Sequence, residues 1–571
     1  MTAKSARFGR PVVTAARRPI GSIAAMSAPG AARSPVSVDD ADVSSWGDGR
    51  GAQVVAYRVA FAAGLAALAA LAWWAQRDFW FVADEWDVLA HYVDGHLLTP
   101  YNGHLSAVPV AVYQALAHTV GIGSYRPYGT IGILVFLAIP VSLVCTHRRS
   151  VDRRLLAVAA LGVAWSWGAE TNLLYGFLIN FDIPLVMLVL AWWLVRRDTV
   201  SADLWAMAAL TVALASSSVG VIVAFAIGLE LVLRRVPLRR LVRFAPPVIA
   251  WAIWWAVRHE ATKPATLGDK VSYAWHMGVA ILAGFTAGWR PGAAVVAVAI
   301  VAVLVVAHRR WRTVDAHVVA TLATVAAFIA LTAFSRAGDI ALNPTDSPRY
   351  VFLGQFLLIA ALLWCVRGRV VPTVVPIAAA AVVLVGAVPL VSHIDAHRDF
   401  VIEYQQRTRP VLAETEAAGR HADPERILPL NLIPVTVGQY LHLVDEVGSP
   451  VLELPLDALG SPSARRQADA LLLQEESIAL TPAPGAAGCR DAPRPVPGDG
   501  LALDAGSRHL VATTSPGPVE VTLRRFADSG DAHTIGSLGS GERGVLALPA
   551  DGSTRPWTLV GGALLRVCLL D

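Results

Sequence analysis

Long apolar segments separated by short polar connections make up the first two thirds of the chain. Most of the segments approach the roughly 20 residues that an α-helix needs to cross a bilayer. They lie at 54–75, 127–146, 154–170, 176–195, 204–217, 218–233, 241–258, 273–289, 291–308, 315–334, 350–366 and 372–391. The pattern predicts a polytopic α-helical membrane protein.

Basic clusters in the connections suggest how these segments cross the membrane. They occur in the N-terminal tail and at 147–154, 196–197, 234–243, 308–312 and 367–369. Because cytoplasmic connections carry the excess of Arg and Lys, all of these clusters are placed in the cytoplasm. The count then gives about 11 transmembrane helices, a cytoplasmic N-terminus and an extracytoplasmic C-terminus.

Three segments need special treatment for this count to work. The apolar segment 105–120 is expected to lie along the outer membrane surface. The segment 273–289 is not counted as a crossing and is expected to be a re-entrant or interfacial helix. Residues 204–233 are divided into two short crossings, because the Ser216-Ser217-Ser218 run at their centre suggests a tight outer turn.

The two ends of the chain differ from the membrane region. Residues 1–52 are rich in Arg, Ser, Ala and Pro and are predicted to be a disordered cytoplasmic tail. The transmembrane domain is assigned to 53–392 and an extracytoplasmic C-terminal α+β domain to 393–571. Within the latter, residues 476–571 alternate short apolar runs with Pro/Gly-rich turns, which predicts a small β-sandwich.

Composition supports this assignment and excludes other classes. The 571 residues are 55% hydrophobic and only 16% charged, with a mean hydropathy of +0.53. A soluble enzyme is excluded for most of the length, since soluble chains are about 25% charged. A net charge of +4 gives no support for nucleic-acid binding. Abundant Ala, Val and Gly with few Lys suggest a high-GC bacterial genome. The membrane is accordingly expected to be the bacterial plasma membrane.

The cysteine count excludes a disulfide scaffold, with one local exception. Of the four cysteines, Cys489 and Cys568 both fall in the polar C-terminal region. They could pair there if that region is extracytoplasmic.

The first outer loop, residues 76–126, holds the most informative motif. Asp84, Glu85 and Asp87 lie among aromatic residues shortly after the first apolar segment. A carboxylate at such an interface can accept a proton from an attacking hydroxyl group. In a helical turn Asp84 and Asp87 would share a face. The alternative is an ordinary solvated interfacial loop.

The rest of that loop adds candidate substrate-binding residues. Asn102 and His104 lead directly into the segment predicted to lie on the membrane surface. A loop of about 50 residues with this content is unusually long for a mere connection.

In this layout the chain resembles the GT-C superfamily of membrane glycosyltransferases. The resemblance covers residues 54–391 and consists of a cytoplasmic N-terminus, an acidic motif after the first helix and surface-lying helices in the first outer loop. It implies inverting transfer of a sugar from a polyprenyl-phosphate-linked donor on the outer membrane face. It also implies that Asp84, or as second choice Glu85, is the catalytic base. Some members bind a divalent cation (Mg or Mn), for which Asp84, Glu85 and Asp87 could supply oxygen ligands.

A phosphate-bearing donor needs cationic partners. Arg349 and Tyr350 lie where one apolar segment enters the membrane, with Arg336 in the same outer connection, and a guanidinium can bind phosphate through two hydrogen bonds. The alternative is an interfacial arginine beside a belt tyrosine. Rival phosphate ligands in another outer connection are His259, Lys263 and Lys270.

Two acidic residues close to or inside apolar segments complete the candidates. Glu170 and Asp182 are expected to bind substrate, because an ionisable group at membrane depth usually faces a cavity or a partner. Asp182 could equally pair with an arginine.

Two other functions remain open beside a transferase whose acceptor is an envelope glycan, lipid or protein. One is a transporter or flippase of a lipid-linked envelope precursor, which would move substrate without forming a glycosidic bond. The other is a non-catalytic membrane scaffold that binds glycan. The carboxylates of the first loop favour the enzyme.

Overall fold

A computed structural model describes most of the chain after residue 50. The described residues are 51–82, 84–91, 96–258, 264–286, 288–311, 315–338, 347–369, 371–418, 428, 435–450, 465–466, 469–470, 473, 478–483, 489–504, 506–527, 529–548, 556–561 and 564–570. The predicted N-terminal tail, His259 and Lys263 lie outside them. The compact unit begins at Val54 and runs to the C-terminus.

Helices make up the membrane region. Helices α1 to α9 span Gly51–Ala75, Asp84–His91, Ala107–Val120, Arg126–His147, Arg153–Ala164, Glu170–Leu174, Ile179–Val195, Val200–Leu214 and Val219–Leu233. Helices α10 to α17 span Leu238–Leu241, Ala245–Arg258, Leu267–Ala283, Arg290–Val306, Ala316–Arg336, Pro348–Cys365, Val374–Ala418 and Val437–Val447. Short 3₁₀ turns at Gln76–Asp78 and Gly176–Leu178 precede α2 and α7.

Seven helical stretches in the described part of the chain are long and apolar enough to cross a membrane. They are Val55–Asp78, Arg126–His147, Gly176–Val195, Arg290–Arg309, Ala316–Arg336, Pro348–Cys365 and Val374–Gln406. Helices α3, α8 and α9 are apolar but shorter. The predicted polytopic helical membrane fold is confirmed. The number of crossings, predicted as about 11, depends on how the shorter helices sit in the bilayer.

Several predicted segments have the expected bounds and others do not. The division of 204–233 into two helices is confirmed, since α8 and α9 meet at a turn over residues 215–218. The segment 154–170 is broken, because α5 ends at Ala164 and a 3₁₀ turn separates it from α6. The segment at 372–391 extends into α16, a helix of 45 residues that continues past the boundary assigned at 392.

The basic connections meet at one end of the helix bundle, named here the basic end. Glu230 is buried in α9 and contacts Arg196 Nε at 3.2 Å and His317 Nδ1 at 2.9 Å. The Arg196 guanidinium lies 3.4 Å from the centre of the Trp364 ring, whose Nε1 donates to Asp315 at 3.2 Å. These contacts join connections that are far apart in sequence. The other end, which carries residues 76–125, is named the loop end.

Two antiparallel sheets form the C-terminal strand-rich region. Strands β1 to β9 span Thr481–Pro482, Arg494–Pro495, Leu501–Leu503, Arg508–Thr513, Val519–Arg524, His533–Leu538, Arg543–Ala547, Trp557–Val560 and Leu565–Leu569. The sheet orders are β1-β7-β4-β9-β2 and β3-β8-β5-β6. Buried and less buried residues alternate along β5 and β8, as expected for sheets with one covered face.

A disulfide closes the edge of the larger sheet. Cys489 and Cys568 are bonded, with their Cα atoms 5.6 Å apart. Cys489 lies just before β2 and Cys568 in β9, next to it in the sheet. The pairing that the sequence left open is therefore present in the structure.

Helix α17 connects the C-terminal region to the first loop. Tyr440 is fully buried, and its ring meets the Trp86 ring of α2 edge-on at 6.1 Å between centres. Gln439 Nε2 lies 3.1 Å from His91 Nδ1 at the end of α2. Helix α2 is therefore held from the side of the C-terminal region as well as from the membrane helices.

The α8–α9 turn generates a stability prediction. A Cβ atom on Gly220 would collide with the backbone of Ala213 and approach Leu214 Cα to 2.5 Å. Because backbone cannot move aside as a flexible side chain can, Gly220→Ala is expected to lower the free energy of unfolding by about 1–3 kcal/mol. Thermal unfolding in detergent measures this.

The same helix provides the matched control. A Cβ atom on Gly228 would meet no described heavy atom within 4 Å. Gly228→Ala is therefore expected to leave the melting temperature unchanged or raise it, since Ala favours helix over Gly. Equal effects of the two substitutions would contradict the close approach of α8 and α9.

Candidate active site

A buried carboxylate organises the first loop. Glu85, 1% exposed, accepts hydrogen bonds from Tyr113 Oη at 2.7 Å and Tyr125 Oη at 2.9 Å. It also accepts from the backbone N–H groups of Val82 at 3.2 Å and Phe177 at 3.3 Å. These donors come from the start of α2, from α3, from the approach to α4 and from the turn before α7. One side chain therefore ties together four parts of the chain.

Burial controls the ionisation of this group. Removal from water raises the pKa of Glu85 to about 7, although the four donors act in the opposite direction. The hydrogen bonds favour the charged form, but they do not fully replace the lost hydration. Glu85 therefore titrates close to neutral pH.

Asp84 and Asp87 lie on the opposite, accessible face of α2. Asp84 is exposed and Asp87 is partly buried, so the predicted sharing of a face by these two residues is confirmed. Asp87 Oδ1 lies 3.5 Å from His91 Nδ1. Partial burial raises the pKa of Asp87 to about 6; the charge of His91 lowers it and that of Asp84 raises it.

A tight turn brings Tyr101 and His104 beside this face. The two residues exchange backbone hydrogen bonds of 2.9 and 2.8 Å across Asn102 and Gly103. Both central residues have positive φ angles, 48° at Asn102 and 74° at Gly103, which is the reason for Asn-Gly at this position. Asn102 is exposed at the tip of the turn.

Two arginines from the ends of neighbouring helices reach the same place. Arg336 ends α14 and its Nη2 lies 3.3 Å from His104 Nε2. Arg349 lies in the first turn of α15, and its guanidinium is 5.7 Å from the Phe181 ring centre and 5.4 Å from that of Tyr350. Burial and the charges of Arg336 and Arg349 lower the pKa of His104 to about 4, so this imidazole is neutral at physiological pH.

The Tyr101 phenol lies against α2, where its Oη donates a hydrogen bond of 3.3 Å to the backbone carbonyl of Asp84. Burial raises its pKa; the charges of Asp84 and Asp87 raise it further, and the charge of Arg349 lowers it. The backbone hydrogen bonds between Tyr101 and His104, and the contact of His104 with Arg336, connect this phenol to the end of α14. The cluster of Asp84, Asp87, Tyr101, His104, Arg336 and Arg349 is named here the carboxylate–arginine site.

Among the described residues, neither arginine of this site has an ion-pair partner. Within the part of the chain that the structure describes, no carboxylate lies within salt-bridge distance of Arg336 or Arg349. The Nε atom of Arg349 is buried and has no hydrogen-bond partner among the described residues. The site therefore offers two cations near an accessible carboxylate, which is suited to an anionic ligand.

The remaining predicted residues lie in different surroundings. Tyr350 is buried against Phe181 and Phe328. Asp182 is fully buried and accepts a hydrogen bond of 2.7 Å from Asn172, so it pairs with an amide and not with an arginine. Glu170 Oε2 lies 3.0 Å from His393 Nδ1.

The rival phosphate ligands are only partly described. His259 and Lys263 lie outside the described residues. Lys270 Nζ lies 4.4 Å from the centre of the Phe334 ring.

The three carboxylates considered as metal ligands are not gathered around one point. Glu85 directs its oxygens to four internal donors, whereas Asp84 is exposed. Across the described ranges, no group of three His, Cys, Asp or Glu side chains could hold a metal ion. Binding of a divalent cation stays a prediction.

Sequence reasoning missed the tyrosines that hold Glu85. Tyr113 and Tyr125 are completely buried, and their rings pack with Phe81, Tyr128 and Phe177. A signal was available, because a phenol in an apolar segment needs a hydrogen-bond partner when it is buried. The identity of the partner could not be read, since Glu85 is 28 and 40 residues away.

Two solved structures similar to this chain are crystal structures of ArnT from Cupriavidus metallidurans. One, bound to undecaprenyl phosphate, is 14% identical and matches with a TM-score of 0.42 over 66% of this chain and 84% of ArnT. The other, in the apo state, is 12% identical and matches with a TM-score of 0.42 over 68% of this chain and 85% of ArnT. No protein-family model and no curated protein matches the chain.

The Glu85 cluster generates a pH prediction. The pKa of Glu85 is about 7 in the folded protein and 4.5 in its ordinary state, so the folded state binds a proton more tightly. The contribution of Glu85 to stability is therefore fully present below pH 4.5 and is lost as the pH rises to about 7. Melting temperatures of the detergent-solubilised wild type and Glu85→Gln between pH 4.5 and 7.5 measure this. Glu85→Gln is expected to be less stable than the wild type at all these pH values. Its melting temperature should also fall less between pH 4.5 and pH 7.5.

The matched control keeps Glu85 and removes one donor. Tyr113→Phe is expected to destabilise the fold by about 1–3 kcal/mol, because a hydrogen bond to a buried carboxylate is lost. It should retain the pH dependence over the same range. A wild type whose stability does not change relative to Glu85→Gln in this range would contradict the raised pKa.

Proposed function

We propose that this protein is an inverting membrane glycosyltransferase that uses a polyprenyl-phosphate-linked sugar donor. The acceptor would be a hydroxyl group of an envelope glycan, lipid or protein. The observation that carries the proposal is the carboxylate–arginine site, in which the exposed Asp84 lies with two arginines that lack ion-pair partners among the described residues. It lies at the loop end, where helices long enough to cross a membrane begin and finish.

The arrangement supports a specific division of labour. The Asp84 carboxylate takes the proton of the acceptor hydroxyl while the hydroxyl oxygen attacks the anomeric carbon. The bond from that carbon to the phosphate oxygen breaks, and the polyprenyl phosphate leaves with the bonding electrons. Arg349 and Arg336 stabilise the negative charge that develops on the departing phosphate. Attack opposite to the leaving group inverts the anomeric configuration.

The other members of the site would bind or position substrate. His104 is neutral and next to Arg336, so it can exchange hydrogen bonds with sugar hydroxyls without adding positive charge. Asp87 and Asn102 border the same face as further hydrogen-bonding groups. Glu85 is assigned a positioning role, because its oxygens are engaged by internal donors and its burial keeps it from an acceptor.

The membrane orientation follows from the same proposal. The loop end would face the extracytoplasmic side, and the basic end the cytoplasm, as the concentration of arginine there suggests. The C-terminal domain with its disulfide would then be extracytoplasmic, where disulfides persist.

Asp84→Asn tests the base. Transfer is expected to fall by at least about 100-fold, because general-base catalysis contributes factors of about 10² to 10⁴. The measurement is release of polyprenyl phosphate together with formation of a glycosidic product, using purified protein, a panel of polyprenyl-phosphate sugars and envelope extract as acceptor. The control is Asp445→Asn, an exposed aspartate of α17, which should retain activity.

Full activity in folded Asp84→Asn would exclude Asp84 as the base. Movement of the lipid-linked sugar across vesicles without a new glycosidic bond would favour the transporter hypothesis instead.

Arg349→Gln tests the phosphate site against its rival. The loss of a charged hydrogen bond to phosphate is expected to lower kcat/KM for the donor about tenfold or more. Lys270→Gln should change it less than twofold, because the Lys270 ammonium lies against the Phe334 ring, 4.4 Å from its centre. The reverse order of effects would assign the donor phosphate to the connection that holds Lys270.

A further inference from the structure

An apolar groove lies between α1 and α16, away from the carboxylate–arginine site. It has a volume of about 530 Å³, and its walls include Leu71 and Trp74 of α1 and Val388, Val391 and Ile394 of α16. Val388 is 72% exposed and Val391 44% exposed, so the groove is open on the side that would face lipid. A hydrocarbon chain fits such a surface by its chemistry.

A polar cleft lies further along the same two elements towards the loop end. It has a volume of about 610 Å³ and is named here the cationic cleft. Its walls include the cations Arg77, Arg126 and Arg409, together with Asp78 and Trp80. Positive charge therefore dominates this lining.

The residues that line the cleft follow those that line the groove along two segments of the chain. Trp74 of the groove precedes Arg77 of the cleft by three residues, and Asp395 precedes Ile402 by seven. Seven helical residues correspond to a rise of about 10 Å. Arg398 lies at the junction, with its guanidinium 5.3 Å from the Trp74 ring centre and its Nη2 2.7 Å from Asp78 Oδ2.

Two groups in the cleft are placed to donate hydrogen bonds to an anion. The Arg409 guanidinium is partly buried, lies 4.8 Å from the Trp80 ring centre and donates to the side-chain oxygen of Gln405, but it has no ion pair among the described residues. The indole Nε1 of Trp80, a residue 1% exposed, has no hydrogen-bond partner within the described part of the chain. An anion in the cleft would neutralise the cation, since Arg prefers phosphate and carboxylate oxygens.

The surroundings indicate the depth of the cleft in a bilayer. Trp73 and Trp74 are 47% and 42% exposed at the end of α1, as expected for a belt of aromatic residues at the membrane interface. Arg126 lies over the Trp73 ring at 5.9 Å. The cations of the cleft are therefore at the level of lipid headgroups, where they attract anionic lipids.

We propose that the groove and the cationic cleft together bind an anionic glycerophospholipid of the surrounding bilayer. An acyl chain lies in the groove, and the headgroup phosphate binds between Arg409 and Arg126. This is a second anion site, independent of the proposed transferase reaction. Tyr125 lines the cleft and donates to Glu85, so the bound lipid lies against one of the residues that hold the Glu85 carboxylate.

The test is binding of phosphatidylglycerol to the purified full-length protein in detergent, followed by native mass spectrometry. Arg409→Gln is expected to weaken binding about tenfold, because one charged hydrogen bond to phosphate is lost. Val391→Trp, which fills the groove, should weaken it similarly without removing a charge. Arg197→Gln is the matched control, since this guanidinium also stacks on a tryptophan, 3.5 Å from the Trp193 ring centre. It should leave binding unchanged.

Further experiments distinguish the lipid site from the carboxylate–arginine site and identify the molecule that occupies it. Arg349→Gln should bind phosphatidylglycerol like the wild type, and a loss there would place the lipid in the carboxylate–arginine site and overturn the proposal. Inorganic phosphate should not displace the lipid at equal concentration. Displacement by phosphate, or by equimolar undecaprenyl phosphate, would overturn the assignment of the occupant. Identical binding by the wild type, Arg409→Gln and Val391→Trp would overturn the site itself.

Discussion

The burial of the Glu85 carboxylate is the constraint on which the arrangement of the loop end depends. A carboxylate that is removed from water needs donors, and here two phenols and two backbone N–H groups supply them. Those donors belong to the residues just before α2, to α3, to the residue before α4 and to the turn before α7. The position of α2 relative to the membrane helices is therefore fixed by one charge centre. Because α2 is fixed, its outer face presents Asp84 and Asp87 in a defined direction.

The two faces of α2 have opposite electrostatic roles. Its inner face carries the buried Glu85, and its outer face carries Asp84 and Asp87 beside the Tyr101–His104 turn, which Arg336 of α14 contacts. The arginines are not paired with these carboxylates within salt-bridge distance, so both groups keep their capacity for a ligand. A catalytic base and a phosphate site can coexist only when the carboxylates and arginines are not paired directly, since an ion pair would occupy both groups.

The two ends of the bundle differ in whether their arginine side chains are paired with acidic groups. At the basic end, Glu230 neutralises Arg196 and contacts His317, and Arg240 pairs with Asp203 at 2.8 Å. At the loop end, Arg336, Arg349 and Arg409 have no such partners among the described residues. Cations that are already paired stabilise the packing of helices, whereas those that are not can bind an anion. The cationic cleft and the carboxylate–arginine site both belong to the second kind, and Tyr125 lines the cleft while donating to Glu85.

The sequence by itself determined the class of the protein, the positions of most of its helices and the shared face of Asp84 and Asp87. These properties depend on local hydropathy and on the helical period, both of which are written in neighbouring residues. It did not separate Asp84 from Glu85, because adjacent carboxylates have the same local context. Only the tertiary structure decided that Glu85 is internal, since its donors lie 28, 40 and 92 residues away. The length of α16 and the meeting of Arg336 with His104 were likewise decided by packing between distant segments, on which the hydropathy pattern carries no information.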